Sequence, residues 1–120
     1  MPSKKILVIE DDDSIRELLV ELLQSEGYLV VSVSNGLEGI KYLESHSNPD
    51  LILMDLMMPV MDGYSFRTEQ MNNKKWSGIP IVVMSAEAGA KEKLKNYDVN
   101  AFLSKPVELE TILATVEKFS

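Results

Sequence analysis

The chain contains no cysteine, one histidine and no excess of basic residues. Without cysteine, disulfides and thiolate metal sites are excluded. Twelve basic residues stand against 19 acidic ones, a formal net charge of -7, which argues against direct nucleic-acid binding. No apolar run approaches membrane-spanning length. The N-terminal residues turn acidic too soon for a signal peptide, so we expect a cytoplasmic protein that binds no membrane.

The chain is ordinary for a soluble globule in its remaining composition. It has 120 residues, of which 45% are hydrophobic and 26% charged. This length suits one domain, residues 1–120, with a core of its own.

Five short apolar runs alternate with helical patterns along the chain. We predict strands at 6–9, 28–33, 51–54, 79–84 and 101–104. We predict helices from Asp12 or Asp13 to Gly27, near 37–43, over 64–71, over 87–97 and over 109–116. This alternation predicts an α/β fold, a doubly wound five-stranded parallel sheet in the order 2-1-3-4-5. The architecture is a flavodoxin-like three-layer αβα sandwich.

Polar residues follow every predicted strand, although the second is followed only by Ser34 and Asn35. Glu10 and Asp11 follow the first strand, Asp55 the third, Ser85 the fourth and Lys105 the fifth. The carboxyl ends of parallel strands share one edge, and ligands bind in the crevice between strands one and three of this order. We therefore expect three carboxylates, a hydroxyl and an ammonium to meet there.

This set of side chains favours a hard cation. Two carboxylates about 4 Å apart repel by roughly 4 kcal/mol at an effective dielectric near 20. The candidate ligands are all oxygens, which favours Mg²⁺. A carboxylate beside a cation, an ammonium and a hydroxyl is equipped to accept a phosphoryl group.

Several short motifs together resemble a response-regulator receiver domain of two-component signal transduction, similar to chemotaxis regulators. The motifs are Ile6-Leu7-Val8-Ile9-Glu10-Asp11, Ser14-Ile15-Arg16, residues 51–63 (LILMDLMMPVMDG), Met84-Ser85-Ala86 and Lys105-Pro106. They occur in the family's order and spacing across nearly the whole chain.

The resemblance implies a role for each site residue. Asp55 would be the phosphoacceptor and a Mg²⁺ ligand. Asp11 would bind Mg²⁺ directly, Glu10 directly or through water, and Met57 through its backbone carbonyl. Ser85 would contact the phosphoryl oxygens.

The resemblance also implies how the signal is passed on. Lys105 would contact the phosphoryl oxygens, with a cis peptide bond to Pro106. Phe102 would be the switch aromatic, turning inward as the Ser85 hydroxyl moves toward the phosphoryl group. The phosphodonor would be a histidine kinase or a histidine phosphotransfer protein. A downstream effector or the protein's own output domain would read the face formed by the fourth helix, fifth strand and last helix, and phosphorylation could drive homodimerisation.

Two alternative functions remain open. A Mg²⁺-dependent aspartyl-phosphate phosphatase would want a second acid where Met57 stands, and an interaction module that is never phosphorylated would lack part of the acid, serine and lysine set. We expect no enzymatic activity beyond self-catalysed phosphoryl transfer and slow autodephosphorylation. The autodephosphorylation should be slow because the Met57 side chain cannot orient a water molecule.

Two loops differ from the family pattern. Asp98 and its neighbours stand where the family has a glycine, and Trp76 is either a loop anchor or a partner contact.

Overall fold

The computed structural model describes residues 3–120 as a central sheet between two layers of helices. Its strands are β1 (Lys5–Ile9), β2 (Leu29–Val33), β3 (Leu51–Asp55), β4 (Ile81–Ser85) and β5 (Ala101–Ser104). Its helices are α1 (Asp13–Ser25), α2 (Gly36–Ser45), α3 (Gly63–Met71), α4 (Ala90–Lys93) and α5 (Leu109–Phe119). All strands pair in parallel in the order β2-β1-β3-β4-β5, which confirms the predicted fold.

Each face of the sheet carries its own hydrophobic core, as alternating strand residues require. One core, with Ile9, Met54 and Phe66, lies under α2, α3 and α4. The other, with Val8, Leu53 and Ile112, lies under α1 and α5. The β3 strand, in the middle of the sheet, is buried at all five residues. Within residues 3–120 no helix is both long enough and apolar enough to cross a membrane.

Helix starts follow the sequence signals. The Asp12 side chain accepts a hydrogen bond from the Ile15 N–H and so caps α1, as predicted. Asn35 caps α2 in the same way, through the Glu38 N–H. Gly27 follows α1 with φ 92, the left-handed conformation expected of a residue after a helix end.

The predicted helix over 87–97 is wrong in length. The α-helix covers only Ala90–Lys93, and a 3₁₀ turn, Leu94–Asn96, completes the segment. Gly89 precedes the helix with φ 79 and Asp98 follows it with φ 49, and neither value fits inside a right-handed helix. Asp98, which stands in the stretch where the family has a glycine, thus takes a left-handed conformation, which Asp tolerates better than most residues.

Trp76 is a loop anchor. Its side chain is buried in the core beneath α2 and α3, and it lies between α3 and β4. The Gln70 amide donates to the Trp76 and Ile79 carbonyls at 3.0 Å each, which fixes the loop backbone. This loop extends further than predicted, so β4 begins at Ile81 rather than at residue 79.

Candidate phosphoryl-acceptor and metal site

The carboxyl ends of four strands place the predicted polar residues together. Glu10 directly follows β1, Asp55 ends β3 and Ser85 ends β4. Lys105 follows β5, and its backbone N–H donates to the Ser85 carbonyl at 2.9 Å. Parallel pairing therefore brings residues from distant parts of the chain to one edge of the sheet.

Three carboxylates form the centre of the site. One oxygen each from Glu10, Asp11 and Asp55 lies within 4.8 Å of the others. Glu10 is fully buried and Asp55 is 6% exposed, whereas Asp11 lies open to solvent. The cluster thus has a buried floor and one accessible side.

Lys105 neutralises part of this charge. Its Nζ donates to Glu10 Oε1 at 3.0 Å and to Asp55 Oδ2 at 3.2 Å. The peptide bond between Lys105 and Pro106 is cis, as predicted. The ammonium therefore bridges the two buried carboxylates.

The pKa values show that the compensation is incomplete. Burial raises the pKa of Glu10 to about 7, against hydrogen bonds from Lys105 and the Asp12 N–H that lower it. Burial alone would lower the pKa of Lys105, but the hydrogen bond to Glu10 and the charge of Asp55 outweigh it and raise this pKa. Because burial raises the pKa of Glu10, a cation bound beside it would stabilise the charged form of this carboxylate.

These residues fit Mg²⁺. The potential donors are carboxylate oxygens, which are the ligands that magnesium prefers. The exposed position of Asp11 leaves room for the waters that magnesium retains.

Ser85 is buried, and its hydroxyl oxygen accepts a hydrogen bond from the Glu87 N–H at 2.9 Å. Within residues 3–120 the hydroxyl donates no hydrogen bond to the protein. Its proton is therefore available to an acceptor that enters the site.

The loop after β3 borders the site. The Met57 N–H faces Asp55 Oδ1 at 3.4 Å, while the Met57 side chain is exposed. Gly63 starts α3 under Leu56, where an added Cβ would lie 2.9 Å from the Leu56 Cα. This close approach explains the glycine at the end of the loop motif.

Phe102 is half-buried on β5 and packs against the core under α3 and α4. It lines a surface cavity of about 310 Å³ with Lys91, Leu94 and Val99. The inward turn of Phe102 stays a prediction.

Two interactions around the site were not assigned from the sequence. The Arg16 guanidinium donates to the Glu10 carbonyl at 2.9 Å, and Glu87 hydrogen-bonds Ser85 through its backbone. Arg16 belongs to a motif that the sequence does show. The sequence carries no sign of the role of Glu87, because a backbone donor can belong to any residue type except proline.

The model of the response regulator receiver domain family matches residues 6–117. The chain belongs to this family. The receiver domain is 33% identical over 116 residues to the "Probable transcriptional regulator ycf29" of Pyropia yezoensis, covering 95% of this chain and 52% of that protein. The chain thus spans about half the length of that relative.

Solved structures agree with the fold. The chemotaxis response regulator CheY4 of Vibrio cholerae superposes with a TM-score of 0.90 at 28% identity, covering 99% of this chain and 100% of that one. The response regulator TrrA of Thermotoga maritima, solved in complex with Mg²⁺-BeF, superposes with a TM-score of 0.86 at 32% identity. That superposition covers 98% of this chain and 99% of TrrA.

Proposed function

We propose that this receiver domain accepts a phosphoryl group on Asp55 from a histidine kinase or a histidine phosphotransfer protein, in a Mg²⁺-dependent reaction. The observation that carries the proposal is the position of Asp55. Its buried carboxylate lies between two further acids and an ammonium at the open edge of the sheet. The structure of TrrA with Mg²⁺-BeF supports it, since that receiver holds a cation and a fluoride complex together.

In the reaction, an Asp55 oxygen forms a bond to phosphorus while the bond from phosphorus to the donor imidazole breaks. The electron pair returns to the imidazole nitrogen, and Asp55 becomes an acyl phosphate. When bound, Mg²⁺ would neutralise part of the charge of the acids and of the incoming phosphoryl oxygens. Glu10, Asp11, Asp55 and the Met57 carbonyl would hold it.

Lys105 and Ser85 complete the site for the product. The Lys105 ammonium, already within 3.2 Å of Asp55 Oδ2, would pair with a phosphoryl oxygen. The Ser85 hydroxyl would donate its uncommitted proton to another. Recruitment of Ser85 and an inward turn of Phe102 would shift the domain between two states, read on the face of α4, β5 and α5. That face would serve the downstream effector, the output domain or a second copy of the chain.

The test is incubation with acetyl phosphate and Mg²⁺, followed by intact-mass measurement. We expect one added phosphoryl group, which is lost in Asp55→Asn and lost when the metal is chelated. Asp50→Asn is the matched control, because Asp50 directly precedes the same strand at the opposite edge of the sheet and should still allow the adduct.

The two alternative functions give different results. If no adduct forms with acetyl phosphate or with a phosphorylated histidine donor, the domain is an interaction module. Sustained hydrolysis of small phosphate esters, with no stable adduct, would identify a phosphatase.

A further inference from the structure

Residues 87–98, here called the strap, connect β4 to β5 and are tied to α3 at both ends. Tyr64 and Arg67, three residues apart on α3, face the strap from one side of the helix. Tyr64 reaches the start of the strap, and Arg67 reaches its end. The two ties differ in strength, and this difference decides which end can move.

The first tie is centred on Glu87. Its carboxylate accepts a hydrogen bond from Lys93 Nζ at 2.8 Å and from the Tyr64 hydroxyl at 3.2 Å. The hydrogen bond from Lys93 lowers the pKa of Glu87, so the carboxylate is charged at neutral pH. Its backbone N–H donates to Ser85 Oγ at 2.9 Å. The side chain of Glu87 thereby fixes the donor that holds the Ser85 hydroxyl.

The second tie is centred on Arg67, which is 4% exposed. Its guanidinium donates to the Tyr97 carbonyl at 2.8 Å, to the Asp98 carbonyl at 2.6 Å and to Gln70 Oε1 at 2.8 Å. Breaking this tie would leave the buried guanidinium and the buried Gln70 amide oxygen without these hydrogen bonds, which is strongly unfavourable. In the first tie the Lys93 side chain is 60% exposed and the Glu87 side chain 16%, so water can replace the lysine as a partner of this carboxylate at a smaller cost than breaking the Arg67 tie.

We propose that Glu87, Lys93 and Tyr64 form a latch that holds Ser85 in the unphosphorylated arrangement, and that the strap opens at this end while Arg67 keeps the other end in place. The proposal rests on the proposed function, because phosphorylated Asp55 is what recruits the Ser85 hydroxyl. The Ser85 proton is free, but its oxygen is held by the Glu87 N–H, so a movement of the side chain toward a phosphoryl oxygen would stretch or break that hydrogen bond. The Glu87 backbone, freed from Ser85, then keeps the hydrogen bond from the Ala90 N–H to its carbonyl at 3.3 Å, and its side chain keeps the bonds from Lys93 and Tyr64.

Gly89 supplies the backbone freedom that this opening needs. It lies two residues after Glu87, has φ 79, and has open space where a Cβ would stand. The latch therefore opposes the switched state, and its loss lowers the free energy needed to reach that state.

The first measurement uses the protein without metal or phosphodonor. Amide hydrogen exchange at Glu87 should be about two- to five-fold faster in Lys93→Met, the range expected from losing a partly exposed ion pair. Lys95→Met is the matched control. Lys95 lies in the same segment and pairs with Glu92 at 2.9 Å, but that pair is exposed and away from Ser85. Equal Glu87 exchange in both variants and the parent overturns the latch.

The second measurement is the affinity for beryllofluoride with Mg²⁺, a tetrahedral mimic of the phosphoryl group, by calorimetry. Lys93→Met and Tyr64→Phe should bind it about two- to five-fold more tightly than the parent, and Lys95→Met should match the parent. Unchanged or weaker binding in both latch variants overturns the coupling to Ser85. A parent that binds no beryllofluoride contradicts the proposed function instead, and the exchange measurement then still decides whether the latch exists.

Discussion

The Lys105 ammonium hydrogen-bonds the Glu10 carboxylate at 3.0 Å, although the two residues are 95 positions apart in the chain. Glu10 is fully buried, and the same ammonium also reaches Asp55. One lysine that follows the edge strand β5 therefore compensates two acids, one directly after β1 and one at the end of β3. Replacing Lys105 should therefore change both the stability of the fold and the chemistry of the site.

Lys105→Met should lower the free energy of unfolding of the metal-free protein by about 1–3 kcal/mol, because two buried carboxylates lose the charged donor that they share and keep only backbone N–H donors. Mg²⁺ should restore part of this loss and bind more tightly than to the parent, since a competing positive charge is gone. Urea unfolding with EDTA and with Mg²⁺ measures both effects. If Lys105→Met is as stable as the parent in EDTA, the ion pairs of Lys105 with Glu10 and Asp55 contribute nothing to the stability of the fold.

Met57→Asn should accelerate loss of the phosphoryl group about five-fold. The parent methionine cannot hydrogen-bond an attacking water, whereas an amide contributes about one hydrogen bond, near 1 kcal/mol. The rate is read from intact mass after removal of the donor. Met71→Asn, an exposed methionine on α3, is the control. An unchanged or slower rate in Met57→Asn would contradict the expectation of slow hydrolysis in the parent.

Val60→Asn should raise the free energy of unfolding by about 1 kcal/mol. Val60 has φ 68, a positive value that is strained for a β-branched residue and that asparagine adopts several-fold more often than most residues. It is the centre of a tight turn in which the Met61 N–H donates to the Pro59 carbonyl at 2.7 Å. The side chain is 77% exposed, so little packing is lost. Urea unfolding measures the gain, which should be smaller in Val60→Ala.

Arg67→Met should lower the free energy of unfolding by about 2–3 kcal/mol, because three acceptors, one of them the buried Gln70 amide oxygen, lose their charged donor. Arg67→Lys should lose most of this as well, since an ammonium cannot reproduce the fork of the guanidinium. Lys91→Met, an exposed residue of the strap, should change the value by less than about 0.5 kcal/mol. If Arg67→Met unfolds at the same urea concentration as the parent, the anchored end of the strap is not held by this residue.

Glu38→Gln should destabilise the protein at neutral pH and not in acid. The Glu38 carboxylate accepts hydrogen bonds from the Ser34 hydroxyl at 2.6 Å and the Ser34 N–H at 2.7 Å, which lower its pKa below 4.5. A lowered pKa means that this stability is present above pH 4.5 and is lost as the pH falls through the folded-state value. At this exposed position we expect a difference of about 0.5 kcal/mol at pH 7.

The measurement is urea unfolding of parent and variant from pH 7 down to pH 3. Glu44→Gln, on the exposed side of the same helix, is the control. If the difference in free energy of unfolding between the parent and Glu38→Gln stays constant down to pH 3, the charge of Glu38 does not contribute through its hydrogen bonds to Ser34.

The polar edge of the sheet was predictable because it depends on local patterns. The residues Glu10, Asp55 and Lys105 each follow a short apolar run, and parallel pairing alone brings strand ends together. The pairs around the strap were not predictable. The Tyr64 hydroxyl meets Glu87 across 23 positions, and the Arg67 guanidinium meets the Tyr97 carbonyl across 30. Such contacts depend on side-chain reach in the folded chain, which periodicity does not record.

The length of α4 was missed for a related reason. The 87–97 pattern contains good helix formers, but Gly89 takes a left-handed conformation and Glu87 is bound to Ser85. Local propensity was overridden by contacts with the site and with α3. The buried position of Trp76 was likewise open in sequence, since a single aromatic in a polar loop suits a core anchor and an exposed contact equally.

The central position of β3 has a thermodynamic consequence for the proposed signal. The strand is paired on both sides and buried at all five residues, so its local unfolding should cost nearly as much as global unfolding. The strap and the edge strand β5, which is only half-buried, belong to the less protected part of the domain. Phosphorylation would therefore occur at the end of β3, where the protein resists local unfolding. Its conformational effect would appear in the strap and β5, where local opening costs less free energy.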